Sequence, residues 1–147
     1  MEDSFLYFGY GSGLNPTLVE FCVNETVVFI GKGTLKNYAL KFNRLNPDGS
    51  ARGNLIYLEN EVVHGLLYQI SKKKFEQLAQ TEPCYDFIEI EVEIKDGLKK
   101  AFAFKCENIT ENIFPSERYM SLLIQNATEN QFPEEYLEKI RQQAKAK

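Results

Sequence analysis

The sequence has few of the residues on which most hydrolytic and metal-dependent active sites rely. Its 147 residues include one histidine, three cysteines and no tryptophan. The three cysteines, Cys22, Cys84 and Cys106, lie far apart and form no C-x-x-C pair, so the sequence predicts no zinc site and no other metal site. An odd number of cysteines without an export signal is typical of reduced thiols that behave as small hydrophobic residues.

The sequence also lacks an excess of positive charge and a long hydrophobic run. Seventeen Lys and Arg residues against 21 Asp and Glu residues give a net charge of -4, which is the wrong sign for binding phosphate backbones or anionic lipids. No segment approaches the roughly 20 apolar residues of a membrane helix. Residues 1–4 are acidic, whereas a secretory signal is basic. We expect a cytoplasmic protein that binds neither nucleic acid nor membrane.

The residue pattern is typical of a single α+β domain over residues 1–147. The length suffices to bury roughly 70% of the unfolded surface, and no repeat or linker divides the chain. Three or four short helices are predicted, with start signals at Pro16, Ser71, Pro115-Ser116 and Pro133. About seven strands are predicted, over residues 5–9, 27–30, 38–42, 54–58, 62–70, 88–94 and 100–105. Closely spaced strands favour a mixed, mostly antiparallel sheet, and their number favours a barrel.

Two sets of reactive side chains have an ordinary structural interpretation. Glu89, Glu91 and Glu93 alternate with apolar residues, so successive carboxylates stand about 6.8 Å apart on one strand face. An inverting glycosidase needs a similar separation, but carboxylates on one strand face are usually just solvated. Cys84 and His64 could form a thiol dyad, yet their spacing gives no sign of one. His64, on a predicted strand, is more typical of a packed residue.

The segment from Gly9 to Gly13 is a sharper signal, because it lies between a strand and the start of a helix. Glycines let the backbone approach a ligand, and the first N–H groups of a helix attract an anion such as a phosphate or carboxylate. The dinucleotide pattern G-x-G-x-x-G is not met, because Leu14 stands three residues after Gly11. We therefore expect no nucleotide cofactor. A tight turn without a ligand is the alternative.

Glu82 is the second candidate, because it follows the end of a predicted helix and precedes Pro83. The helix dipole disfavours negative charge at this end. An enclosed carboxyl group there would be tuned toward neutrality, and such a group can both take and return a proton. An exposed glutamate at a helix end is the alternative.

Four stretches, taken together, resemble the gamma-glutamylcyclotransferase family. They are FLYFGYGS at residues 5–12, VHGLLYQI at residues 63–70, LAQTE at residues 78–82, and PSERY at residues 115–119 followed by PEEY at residues 133–136. The resemblance implies a small mixed β-barrel with flanking helices. It also implies an enzyme that releases 5-oxoproline from small gamma-glutamyl compounds without a cofactor.

The same resemblance assigns site residues in this chain. It implies that Glu82 is the essential carboxylate, that Tyr119 contacts the substrate, and that the substrate-binding loop consists of Tyr7, Phe8, Gly9, Tyr10, Gly11, Ser12 and Gly13. The chain departs from the family at Gly13, where an asparagine is usual, and at Pro83, where a glycine usually follows the carboxylate. These departures keep a second hypothesis open, a binding protein for gamma-glutamyl or other small carboxylate ligands without turnover.

Within the enzyme hypothesis, the substrate is a gamma-glutamyl amino acid or amine, and the runner-up substrates are an isopeptide-type gamma-glutamylamine and a biosynthetic gamma-glutamyl intermediate. We expect the loops near residues 43–52 and 107–114 to contact the leaving amine, because variable loops commonly set specificity. The sequence leaves open whether the protein is a monomer or a homodimer.

Overall fold

A computed structural model of the chain describes residues 4–23, 27–80 and 86–145, and in these residues five strands close into a barrel. The strands are β1 (Ser4–Gly9), β2 (Val28–Leu45), β3 (Ala51–Ser71), β4 (Asp86–Ile94) and β5 (Gly97–Lys105). Their order around the barrel is β1-β3-β2-β4-β5. The β1–β5 pair is parallel and the other pairs are antiparallel. The predicted mixed, mostly antiparallel barrel is therefore confirmed.

The predicted helices are present and begin where the capping residues indicate. They are α1 (Pro16–Val23), α2 (Lys72–Gln80), α3 (Glu117–Glu129) and α4 (Glu134–Lys145). The hydroxyl oxygens of Ser71 and Ser116 accept hydrogen bonds from the N–H groups of Lys74 and Tyr119, both at 3.1 Å, which satisfies amides that a helix leaves unpaired. None of the described helices is both long enough and apolar enough to cross a bilayer.

The prediction of about seven strands is wrong, because two pairs of predicted strands are continuous. Strand β2 contains two of the predicted strands, residues 27–30 without the first residue and residues 38–42. Strand β3 contains two more, residues 54–58 and 62–70. Asn37 and Asn60 adopt left-handed backbone conformations, with φ of 67° and 73°. The N–H of Asn60 donates to Oδ1 of Asn37 at 3.1 Å. The two strands therefore bend together at a bulge without separating.

Helix α2 is fixed to the barrel by the ring of Phe75, which is fully buried. The Phe75 ring packs against rings of β1 and β5, with centroid separations of 5.3 Å to Phe5, 6.3 Å to Tyr7 and 5.5 Å to Phe104. Such aromatic clusters combine a large buried area with a defined ring geometry. The Phe75 ring therefore fixes the middle of α2 against β1 and β5.

A buried asparagine joins β3 to the end of β5. Asn54 is fully buried, and its Oδ1 accepts hydrogen bonds from the N–H groups of Cys106 at 2.8 Å and Leu55 at 3.0 Å. Its Nδ2 donates to the Cys106 carbonyl at 2.9 Å and to Asn43 Oδ1 at 3.0 Å. Its amide thus satisfies backbone groups that have no access to water.

Asn54→Leu is expected to lower the free energy of unfolding by about 3 kcal/mol, because it leaves the buried N–H and C=O groups of Cys106 without partners. Urea denaturation measures this loss. Asn108→Leu, at an exposed position, is the control and should change stability by less than about 0.5 kcal/mol. A similar small change in both variants would contradict the assigned role of Asn54.

Candidate functional site

The chain leaves β1 through a glycine turn that folds back tightly on itself. A Cβ atom built on Gly9 would lie 2.6 Å from the carbonyl oxygen of Gly13 and 2.8 Å from two further backbone atoms of Gly13. No real side chain is accommodated at such distances, so position 9 requires glycine. The N–H of Leu14 closes the turn by donating to the carbonyl of Gly11 at 3.0 Å. Together these contacts shape the turn from Gly9 to Gly13.

The first amides of α1 have a side-chain acceptor within the chain, and the anion expected near them stays a prediction. Oδ1 of Asn15 already accepts the N–H groups of Thr17 at 3.1 Å and Leu18 at 3.4 Å, so the helix start is capped by its own side chain. In contrast, within the part of the chain that the structure describes, the N–H groups of Gly11 and Gly13 donate to no acceptor. The amides without an acceptor in this part of the chain therefore belong to the glycine turn and not to the capped helix start.

Two tyrosine hydroxyls, of Tyr7 and Tyr68, lie against this turn, and that of Tyr10 joins the turn to β5. Tyr68 donates to the carbonyl of Gly13 at 2.7 Å, and Tyr10 donates to the carbonyl of Phe104 at 2.7 Å. The hydroxyl oxygen of Tyr7 lies 3.1 Å from the position that a Cβ on Gly13 would take. Burial, with a smaller effect of the Glu20 charge, raises the pKa of Tyr68, so this hydroxyl stays a hydrogen-bond donor at any physiological pH.

Tyr119 lies on the first turn of α3, and the structure brings it to the glycine turn. Its hydroxyl oxygen accepts the N–H of Gly53 at 3.1 Å and lies 3.1 Å from the position of a Cβ built on Gly11. Its ring packs edge-to-face against Phe42, with centroids 6.2 Å apart. Two residues assigned from distant parts of the sequence, Gly11 and Tyr119, are thus neighbours. Their contact with a substrate stays a prediction.

Three assigned residues remain, namely Phe8, Ser12 and Glu82. The side chain of Phe8 is fully buried in the core, so a ligand could reach only its backbone. Ser12 begins the short 3-10 turn Ser12–Leu14, and its side chain is not described. Glu82 lies outside the described residues, as do Pro83 and Cys84.

Sequence reasoning did not single out Tyr68 or Gly53, both of which contact the site residues. Tyr68 lies in the VHGLLYQI stretch, where every residue from Leu66 to Tyr68 is buried and a tyrosine resembles one more core residue. The useful signal was the hydroxyl, since a buried Tyr O–H usually has a hydrogen-bond partner. Gly53 offered no comparable signal, because its contact with Tyr119 joins residues 66 positions apart.

The other reactive side chains have the ordinary roles expected of them. Glu89, Glu91 and Glu93 are exposed, and two of them form surface ion pairs with Lys100 at 3.3 Å and Lys36 at 3.8 Å. Cys106 is buried. Among the described residues, no group of three or more His, Cys, Asp or Glu side chains could hold a metal ion.

His64 is a packed strand residue, as predicted. Its ring contacts Phe132 and Tyr136, with centroid separations of 5.5 Å and 4.6 Å, and its Nδ1 lies 3.4 Å from the hydroxyl oxygen of Thr34. Burial, and then the charge of Lys32, lowers the pKa of His64 below its usual 6.5. The folded chain therefore disfavours the protonated imidazole.

The free energy of unfolding is expected to fall as the pH falls below about 6.5, because the unfolded chain then protonates His64 before the folded chain does. The loss ends once the pH is below the lowered pKa of the folded state. Urea denaturation from about pH 7.5 to about pH 5.5 measures it, and His64→Gln should flatten this part of the profile. Parallel losses in the wild type and the variant would contradict the prediction.

Comparisons with known proteins agree with the resemblance found in the sequence. A model of the AIG2-like family matches residues 62–140, more than half of the chain. Mouse and human gamma-glutamylcyclotransferases are each 25% identical to this chain, covering 95% of it and 78% and 79% of their own lengths. A solved gamma-glutamyl cyclotransferase superposes with a TM-score of 0.82 at 24% identity, over 94% of this chain and 86% of that one. The family resemblance and its barrel fold are therefore confirmed.

Proposed function

The chain belongs to the AIG2-like family, and we propose that it is an enzyme that releases 5-oxoproline from gamma-glutamyl compounds. One observation carries the proposal: the Tyr119 hydroxyl lies against Gly11 of a turn in which two N–H groups have no acceptor in the described part of the chain. The names of the mouse and human relatives support the choice of reaction.

The substrate's charged groups suit these two parts of the site. A gamma-glutamyl compound carries an α-carboxylate, and we assign its binding to the N–H groups of Gly11 and Gly13. Backbone donors are well suited to a carboxylate, because bonds to an ionised acceptor are short and strong. The neighbouring α-ammonium group is assigned to Glu82, which follows α2 in the sequence.

The reaction begins when Glu82 removes a proton from the α-ammonium group. The freed amine attacks the substrate's own γ-carbonyl carbon and closes a five-membered ring, which forms one C–N bond. The tetrahedral intermediate then collapses, and the C–N bond to the leaving amine breaks as Glu82 returns the proton to that nitrogen. The ring nitrogen gives its second proton to Glu82, which releases it to solvent, and this leaves the neutral lactam. The products are 5-oxoproline and the free amine.

The protein contributes mainly orientation and a proton carrier. Because the nucleophile belongs to the substrate, the reaction needs no serine, cysteine or metal. An oriented intramolecular attack can gain roughly 7–11 kcal/mol relative to separate reactants. The Tyr119 hydroxyl, whose oxygen accepts the Gly53 N–H and which lies against Gly11, is assigned to the developing oxyanion.

We assign the recognition of the leaving amine to residues 43–52 and 107–114, two segments that pack together beside Gly53. The N–H of Thr110 donates to the carbonyl of Asn43 at 2.8 Å, and the N–H of Ala51 donates to the carbonyl of Phe114 at 2.9 Å. A cleft of about 430 Å³ lies between residues 109–114 and the outer face of β2 and β3. We propose that the enzyme acts on soluble gamma-glutamyl amino acids or amines in the cytoplasm.

The test is to incubate the protein with a panel of gamma-glutamyl dipeptides and gamma-glutamylamines and to measure 5-oxoproline and free amine by mass spectrometry. Equal amounts of the two products are expected. The matching α-glutamyl dipeptides are the control and should release no amine, because they lack the γ-amide. Calorimetric binding without any product would contradict the proposal and favour the non-catalytic binding protein.

A further inference from the structure

Two tyrosines that face each other across β1 and β3 meet at one residue of the glycine turn. Tyr7 and Tyr68 are register partners, and their buried rings stack with centroids 6.1 Å apart and planes inclined by 25°. The Tyr68 hydroxyl donates to the carbonyl of Gly13, and the Tyr7 hydroxyl oxygen lies 3.1 Å from the position that a Cβ on residue 13 would take. A Cβ at position 13 would therefore be in tight contact with the Tyr7 hydroxyl, which would have to move by a few tenths of an ångström.

We propose that Tyr68 is a positioning residue, which sets the direction of the glycine-turn N–H groups and so the affinity for the substrate carboxylate. The inference rests on the proposed function for its kinetic part only. The positioning role of Tyr68 follows from the peptide unit between Gly13 and Leu14, whose C=O and N–H groups are both hydrogen-bonded. Tyr68 holds its carbonyl at 2.7 Å, and the Gly11 carbonyl holds its N–H at 3.0 Å.

The turn needs such a restraint because three of its five residues are glycines. Glycine has access to more backbone conformations than any other residue, so an unrestrained turn would have to be ordered each time a ligand binds. The Tyr7 hydroxyl crowds position 13, which favours glycine there. The hydrogen bond from Tyr68 then restrains the backbone of this flexible residue. Burial raises the pKa of this hydroxyl, so it remains a donor across the physiological pH range.

Tyr68→Phe removes the hydroxyl and keeps the ring. KM is expected to rise about tenfold, with kcat changed less than about twofold, because the carboxylate is bound equally in the ground and transition states. Tyr136→Phe is the matched control. Tyr136 is also a buried tyrosine whose hydroxyl donates to a backbone carbonyl, that of His64, at 3.4 Å. The control should lower the melting temperature and leave KM unchanged.

A second readout does not depend on turnover. Amide hydrogen exchange at Gly11 and Gly13, followed by NMR, is expected to be about tenfold faster in Tyr68→Phe than in the wild type and unchanged in Tyr136→Phe. If the wild type forms no 5-oxoproline, the proposed function fails and this exchange still tests the positioning role. Equal exchange in both variants, or equal KM changes, would overturn it.

A variant with a restored donor separates positioning from packing. Incorporating 4-aminophenylalanine at position 68 keeps the shape and places an N–H donor where the hydroxyl was. KM and amide exchange should then return to within about threefold of the wild type. A folded variant with no recovery, or failure of both position-68 variants to fold, would assign Tyr68 to the core alone.

Discussion

Glu82→Gln is expected to lower kcat for 5-oxoproline release by about 10³-fold, the largest effect of any single substitution in the site. The amide keeps the size and the hydrogen-bonding capacity of the side chain but cannot carry a proton between the attacking and leaving nitrogens. KM should change little, because the glycine turn still binds the α-carboxylate. Steady-state kinetics on the best gamma-glutamyl substrate, with a circular dichroism spectrum to establish folding, measures both quantities.

Glu76→Gln is the matched control for this substitution. Glu76 is an exposed carboxylate on α2, the helix that precedes Glu82, so its variant removes the same charge from the same region. Its kcat should equal that of the wild type. A Glu82→Gln enzyme with a normal rate would remove Glu82 from the proton transfer, whatever the substrate.

Gly9→Ala is expected to lower kcat/KM by about 100-fold and the free energy of unfolding by about 2 kcal/mol. The new methyl group would lie 2.6 Å from the Gly13 carbonyl oxygen. Every atom that it meets within 3 Å belongs to the backbone, so no side chain can rotate away and the turn itself must shift. A shift of about 1 Å would misplace the N–H groups of Gly11 and Gly13 relative to the reacting carbonyl.

Gly97→Ala separates this steric effect from the general loss of a glycine. Gly97 is the first residue of β5, next to the β4–β5 turn, with φ of 119°, and a Cβ there would meet no atom within 4 Å. Its replacement should lower stability by about 1 kcal/mol through backbone strain, with kcat/KM unchanged. If Gly9→Ala retained full kcat/KM, the turn would have no part in binding.

The strand count illustrates what the sequence could not predict about the fold. Helix starts depend on neighbouring residues, such as Asn15 before Pro16 and Ser116 before α3, and these were predicted correctly. Asn60 and its neighbours resemble a turn locally, because Asn favours a left-handed backbone. Whether such a residue ends a strand or bends it depends on the partner strand, here on Asn37 opposite. That pairing is not a local property.

In the candidate site too, the sequence revealed features set by neighbouring residues and missed those set by contacts between distant residues. The glycine turn was found from adjacent residues, and Tyr119 was found only through the family resemblance. The contacts that shape the site connect residues far apart, such as Gly53 with Tyr119 and Gly13 with Tyr68. Asn15 was found as a helix cap, but its effect on the anion site was not anticipated, because the capping side chain competes with a ligand for the same amides.

The departure from the family at Gly13 has a physical explanation in this chain. A Cβ at this position would lie 3.1 Å from the Tyr7 hydroxyl oxygen, closer than ordinary van der Waals contact. Gly13→Asn therefore requires the Tyr7 ring to shift. The polar group that a side chain at position 13 would bring to the turn is instead the Tyr7 hydroxyl, which reaches the turn from β1.

A crystal structure of the protein soaked with 5-oxoproline tests the central claim most directly, because the product retains the carboxylate and the ring nitrogen that the mechanism assigns. The account predicts carboxylate oxygens about 3 Å from the Gly11 and Gly13 nitrogens, and the Glu82 carboxyl at a similar distance from the lactam nitrogen. A product bound elsewhere, or a Glu82 carboxyl directed into solvent away from the turn, would contradict it.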